Sequence, residues 1–337
     1  MSGTVATPPS VQAGSAARRA ARQAGVEVTD LHEMGELTEA AELFIEVWRT
    51  SRAEAPCTPS LLRALAHSGN YVSAAWLGGR MVGASVGFLH PDPSGHPLGV
   101  TRTPPAGEGY ALHSHITGVR AEAQGRGVGV TLKLHQRAWA LARGLPVITW
   151  TFDPLVRRNA FLNLVKLGAE IVEYLPDFYG RMGDGINAGD ETDRCLVSWP
   201  LASERAIAAS RGAAPEPDLA ALRGAGARVL LEEDAAGRPA TTNPGKEPSP
   251  AEATGPADEL GLAEATGPGI PAVLIQVPGD IVAIRAADPD LASRWRRALR
   301  ATMGGALARG LAATGITRSG WYVLERASLP RAGQERR

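Results

Sequence analysis

Between Tyr110 and Ala142 the chain passes from a β-prone stretch through Gln124-Gly125-Arg126-Gly127-Val128-Gly129 into an amphipathic helix. This junction constrains the fold more than any other segment. Three glycines in six residues let the backbone turn tightly and approach a ligand closely. The first turn of the helix presents N–H groups without intrahelical partners at the positive end of its dipole. Together these make an anion cradle suited to a phosphate or pyrophosphate. A Walker loop needs Lys-Ser/Thr after its last glycine, and Val130-Thr131 stand there instead. A dinucleotide turn needs GxGxxG and an acid about 20 residues on. Here the turn reads QxxGxG, and Ile148, Thr149 and Trp150 fill the later stretch.

At 337 residues the chain has room for two domains. Its 35 basic and 35 acidic side chains cancel, so no global field draws it to nucleic acid or to an anionic membrane. Cys57 and Cys195 lie far apart without CxxC or Cys/His spacing; no disulfide framework and no metal site is expected, and the compartment reads as reducing, hence cytoplasmic. No apolar run reaches the ~18 residues needed to span a bilayer. Residues 1–25 carry Arg18, Arg19 and Arg22 among alanines without the apolar core of a secretory signal, and read as a disordered tail.

Periodicity then gives a strand at 26–31, helices at 37–49 and 59–67, and a hairpin of strands 71–77 and 81–90 about Gly78-Gly79. A proline-rich loop at 91–109 borders the expected acceptor side. The fourth strand (110–119) leads through the glycine turn to a helix at 130–143, with Val130, Leu134, Ala138 and Leu141 on one face. A fifth strand (146–153), a helix (158–167) and strands at 169–175 and 194–199 close a unit over 26–201. Residues 202–271 are rich in alanine, glycine, proline and acids and read as mostly disordered or low-complexity linker, interrupted by a short strand at 228–231. A strand at 272–277, a long helix at 289–313 and a strand at 320–325 form a small α/β module over 272–327.

Gln124, Gly127 and Gly129 follow Val119 at the spacing of a Q/R-x-x-G-x-G/A turn, and PVITWTFD, RNAFLNLVKL and Lys166-Leu167-Gly168-Ala169 come after it in order. This arrangement resembles the GNAT N-acetyltransferase superfamily. With WTFDPL, KLGA, DFYG and TDR it also resembles a bacterial subgroup of that superfamily. The resemblance implies an α/β (layered α+β) fold: a mixed, mostly antiparallel sheet splayed between strands four and five, plus the smaller C-terminal module. It allows that module as a degenerate second half without its own QxxGxG turn. Whether the module completes a pocket or joins two copies into a homodimer stays open.

The implied activity is acyl-CoA-dependent N-acyl transfer, with acetyl-CoA as the default donor, no metal, and a small-molecule amine or amino acid as acceptor. By resemblance, the backbone of Gln124, Gly125, Arg126, Gly127, Val128 and Gly129 holds the pyrophosphate, and the Arg126 side chain adds charge. Thr117, Gly118 and Val119 then contact pantetheine through their backbone, and Asn159 bonds its amides. His115, sharing a strand face with His113, is the candidate base. Asp153 has two readings, acceptor binding or base on one side and a turn residue before Pro154 on the other. The family's usual tyrosine acid is replaced by Leu164, which leaves Tyr179 as the candidate acid. The competing reading is a non-catalytic acyl-CoA sensor.

Overall fold

The computed structural model describes residues 7–91, 109–180, 190–241 and 262–326. Most of the proline-rich loop and residues 242–261 of the expected linker lie outside these. Helix α1 (Pro9–Ala24) precedes strand β1 (Glu27–Asp30), helices α2 (Met34–Trp48) and α3 (Pro59–His67), and strands β2 (Tyr71–Leu77), β3 (Arg80–Pro91) and β4 (Tyr110–Val119). Helix α4 (Val128–Ala142), β5 (Val147–Phe152), α5 (Arg157–Phe161), β6 (Glu170–Leu175) and β7 (Arg194–Pro200) complete the first half. The second half holds α6 (Glu204–Ser210), α7 (Leu219–Gly224), β8 (Arg228–Glu233), β9 (Pro239–Thr241) and α8 (Leu262–Ala265). There follow β10 (Val273–Gln276), α9 (Ile281–Ala287), α10 (Pro289–Leu299), α11 (Gly305–Ala308), β11 (Leu311–Ile316) and β12 (Trp321–Arg326).

Local chemistry sets these boundaries. The Thr58 hydroxyl accepts from the Leu61 N–H and Pro59 opens α3 with its preset φ. Gly78 and Gly79 take φ of 58° and 81°, the paired left-handed turn that joins β2 to β3 with the twist of a hairpin. Among the described residues the strands form one sheet in the order β1-β2-β3-β4-β5-β7-β6-β11-β12-β10-β8-β9. It is mixed and mostly antiparallel, as expected. Strands β4 and β5 are parallel and pair only at Leu112–Ile148 and His113–Thr149. Beyond those pairs they part, which is the splay between the fourth and fifth strands.

Three expectations are corrected. Residues 9–24 of the supposed tail form α1, whose buried Ala13, Ala16, Ala17 and Ala24 recur at helical spacing. Alanine is the best helix former, and a stripe of it lets two helices lie close. Arg137 of α4 donates to Gln12 Oε1, and Arg19 donates to the Ser210 carbonyl, fixing α1 in place. Residues 204–241 of the supposed linker form α6, α7 and β9 besides the strand expected at 228–231, which is β8, with Ser203 and Asp218 as helix caps and Leu230 and Leu231 buried. The glycines and prolines there separate short elements. Finally, the helix expected over 289–313 ends near Ala308, and Leu311–Ala313 belong to β11, because Gly310 (φ 81°) terminates the helix.

The second half also repeats the first. In the first, β5, α5, a π-helical turn at 162–166, β6 and β7 give the strand order β5-β7-β6. In the second, β10, α10, a π-helical turn at 300–304, β11 and β12 give the order β10-β12-β11. Both hairpins carry a bulge at the same place, after Ile171–Val197 in one and after Ala313–Leu324 in the other. Ile171 and Ala313 are themselves the antiparallel pair that joins the halves. One apolar core runs through both, from Trp150, Ile171 and Trp199 to Trp295, Met303 and Tyr322.

Candidate functional site

Strand β4 ends at Val119, a single 3-10 turn spans Ala121–Ala123, and Gly127 caps α4 in the left-handed region. Gly125 and Gly127 have φ of 77° and 87°, and an added Cβ at either meets nothing within 4 Å. Their requirement is conformational, and the space above the first turn of α4 is open. Gly129 has an ordinary helical backbone, with only Val119 near an added Cβ, at 3.9 Å. The Gln124 side chain donates to the Val119 carbonyl (3.2 Å), so it closes the turn onto the strand end. Thr131 bonds the Gly127 carbonyl through both its N–H and its hydroxyl, leaving the preceding N–H groups of the first turn pointing outward. Val128 is buried beneath the turn, and Arg126 is exposed.

From this cradle the open edge of β4 leads back into the molecule. Its other edge is taken by β3, through Ser85–Thr117, Ala84–Gly118 and Gly83–Val119. The Thr117 hydroxyl shares a hydrogen bond with Ser85 (2.7 Å). Gly118 answers to packing: a Cβ there would lie 2.8 Å from Trp48 of α2. Past His113 the edge facing β5 has no strand partner, so its N–H and C=O groups can take an extended ligand as an added strand. Asn159 is half-buried in α5, and its N–H donates to the Val156 carbonyl (2.9 Å).

On one face of the opened sheet lie the histidines. Phe88 stacks obliquely on both His113 and His115, at ring separations of 5.1 and 5.8 Å. Thr149 of β5 bonds His113 Nδ1 and His90 Nε2, each at 3.2 Å. Burial, with repulsion from His90, His115 and Lys133 in their protonated forms, pushes His113 down to about 4. Burial also lowers His115, so both rings are neutral at pH 7. Two residues along β5, the Thr151 hydroxyl bonds the Tyr179 hydroxyl (3.0 Å), and Arg194 lies against the Tyr179 ring. The structure therefore brings Tyr179, 43% exposed, to the same face as His113 and Thr149.

Asp153 does something else. Its Oδ1 accepts from the Leu155 N–H, and its Oδ2 accepts from the guanidinium groups of Arg285 (2.5 Å) and Arg296 (3.3 Å) in the second half. Both arginines also hold Asp190 Oδ2. Nearby, Arg300 pairs with Asp193 and Glu191, and the Tyr174 hydroxyl donates to Asp193. Burial alone would raise the Asp153 carboxyl; Arg296 and Arg285 outweigh it and hold the group below its usual range. An ionised carboxylate so engaged is a weak base. Its place is a buried ion-pair bridge between the halves and a turn before α5, which corrects its reading as acceptor ligand or base.

The opposite face holds a residue that sequence reading missed. Lys133 of α4 is 6% exposed; its ammonium donates to Ser114 Oγ (2.7 Å) and lies 3.9 Å from the centroid of the Trp150 ring. Burial lowers it to about 7. Ser114 and Trp150 are the first residues beyond the last β4–β5 pair, so Lys133 sits at the apex of the splay. Its neighbours Leu132 and Leu134 are apolar. The stripe read from the sequence, Val130, Leu134, Ala138 and Leu141, assigned no role to position 133. Leu164, where the family's tyrosine was expected, is core, 2% exposed.

Among the described residues no group of three or more His, Cys, Asp or Glu is placed to hold a metal ion, and no helix is long and apolar enough to cross a membrane. No family model matches the chain, and no curated protein does. Solved structures do. A histone acetyltransferase HPA2 and related acetyltransferase from Corynebacterium glutamicum is 18% identical over 53% of this chain and 98% of its own, with a TM-score of 0.36. An N-acetyltransferase from Staphylococcus aureus is 15% identical over 52% of this chain and 98% of its own, at 0.40. The ribosomal-protein-S18-alanine N-acetyltransferase from Escherichia coli is 13% identical over 53% and 97%, at 0.38. About half of this chain is covered in each case, and scores of this size carry no argument about activity.

Proposed function

We propose that this chain is an acyl-CoA-dependent N-acyltransferase, acetyl-CoA being the default donor, acting on a small amine or amino acid by direct attack on the thioester. The observation that carries this reading is the continuity between the glycine cradle at Gly125–Gly129 and the unpaired edge of β4. A pyrophosphate-bearing ligand with an extended amide arm needs both, in that order. The backbone from Gln124 to Gly129 holds the pyrophosphate, with Arg126 adding a charge-assisted bond. Thr117, Gly118 and Val119 offer backbone groups to pantetheine, with Asn159 at the other wall. N–H groups along the open edge polarise the thioester carbonyl.

On the acceptor face, neutral His115 takes the proton of the attacking amine. His113, held near 4, is too weakly basic for this. Tyr179 and Thr151 close the same face and orient the acceptor. The ion-pair bridge at Asp153 ties the second half to the end of β5, which supports reading it as a wall of this face. A soluble cytoplasmic setting, with neither nucleic acid nor membrane as partner, accords with the balanced charge. Incubation with acetyl-CoA and pools of amines and amino acids, followed by free thiol, tests this: at least one acceptor raises thiol release above the acceptor-free rate. Saturable CoA binding without release for any acceptor replaces the enzyme by the acyl-CoA sensor, the reading that the apolar Leu164 favours.

A further inference from the structure

We propose that Lys133 is the proton donor to the departing CoA thiolate, taking the place of the aromatic hydroxyl that Leu164 cannot supply. The proposal rests on the acyl-CoA reading above and adds to it a catalytic residue on the face away from His115. Geometry comes first. The splay opens past Leu112–Ile148 and His113–Thr149, and the Lys133 ammonium is anchored across that opening, on Ser114 of β4 and the Trp150 ring of β5. A thioester drawn along the open edge of β4 from the cradle has its sulfur directed at this apex. Amine and leaving group then lie on opposite sides of the carbonyl, with His115 serving one and Lys133 the other.

The chemistry suits a lysine held this way. Its three N–H groups exceed what Ser114 and the ring face use, so one remains to aim at sulfur. Among the described residues no carboxylate pairs with it. His113 on β4 is the titratable group that feels its charge, while His135 and Arg137 flank it along α4. With burial bringing it to about 7, transfer of its proton to a thiolate, whose conjugate acid ionises near 8.5, runs downhill. The balance is complete. The amine nitrogen bonds to the carbonyl carbon and gives a proton to His115, the carbon–sulfur bond breaks, and the sulfur pair takes the proton of Lys133. As products leave, the neutral lysine regains a proton from solvent and the protonated His115 releases one to it.

The chain has three lysines, Lys133, Lys166 and Lys246, so selective labelling of lysine gives a resolvable spectrum. In the wild type, the Lys133 signal, assigned by its absence from Lys133→Met, titrates near pH 7 and shifts when CoA is added. In Lys133→Met, CoA affinity stays within threefold, thiol release from acetyl-CoA falls on the order of 10²–10³-fold, and the fall in rate above pH 7 disappears. Lys133→Arg, charged but unable to release its proton, gives no rescue. If the wild type fails to bind CoA, the donor reading itself falls. If CoA binds but leaves the Lys133 signal unmoved, or Lys133→Met releases thiol at the wild-type rate, the donor reading stands and the role of Lys133 is wrong.

Discussion

Asp153→Ala lowers folding stability by about 3–5 kcal/mol, the cost of breaking a buried pair and leaving its cations uncompensated. Arg296 is 1% exposed and Arg285 6%, and each already has an Nη1 without a partner. Losing Asp153 leaves the two guanidiniums sharing Asp190 alone. Because the folded Asp153 sits below its unfolded value, the unfolded chain binds more protons in the interval between them, and stability rises with pH there. The contribution is therefore whole above about pH 4, the unfolded aspartate value, and fades as pH falls through the folded one. Urea unfolding at pH 7 shows the full difference between wild type and variant; at progressively lower pH the difference narrows. A loss below about 1 kcal/mol at pH 7, the range of exposed pairs, would mean that the bridge is not formed.

Gly168→Ala has a comparable effect for a different reason. Gly168 ends the helical segment before β6 at φ 69°, and a Cβ there would lie 2.6 Å from the Arg205 carbonyl oxygen and 2.7 Å from its carbon. Left-handed strain of about 1–2 kcal/mol adds to overpacking of about 1–3 kcal/mol, because backbone stands on the far side and α6 must shift. Its counterpart in the repeat is the control. Gly310, at φ 81° with nothing within 4 Å of an added Cβ, pays only the left-handed strain of about 1–2 kcal/mol on mutation to alanine. Chemical denaturation of both variants should rank them in that order, and equal losses would remove the α6 contact from the account.

The parts of this molecule that were legible in its sequence are the locally encoded ones. Gly125 and Gly127 announce left-handed turns, Thr58-Pro59 a helix start, Gly78-Gly79 a hairpin, and the β-branched run at 147–152 a strand; each signal lies within a few residues of what it specifies. The splay needed the resemblance, since nothing in the composition of β4 or β5 says that their pairing stops at His113–Thr149. What stayed hidden was non-local. Asp153 finds its partners 132 and 143 residues downstream, so an Asp-Pro step looked equally like a turn and a ligand. Alanines 13, 16 and 17 carry little hydrophobic signal, yet they cover α4. Lys133 is buried by the sheet beneath α4, against Ser114 and Trp150, which lie 19 residues before it and 17 after it in the chain. The second half looked detached because residues 202–271 read as linker, yet the Ile171–Ala313 pair at the centre of the repeat joins it to the first half.

The central claim is that the turn at Gly125–Gly129 holds the pyrophosphate of CoA, and calorimetric titration with CoA tests it most directly. The wild type should bind saturably at one site. Gly127→Trp should weaken binding by at least about 100-fold, roughly 2.8 kcal/mol at 1.4 kcal/mol per decade, and Gly129→Leu, which fills the first turn without a left-handed backbone, should do so while keeping the wild-type melting profile. Wild-type affinity in a folded Gly129→Leu variant, or no CoA binding by the wild type, would contradict the claim.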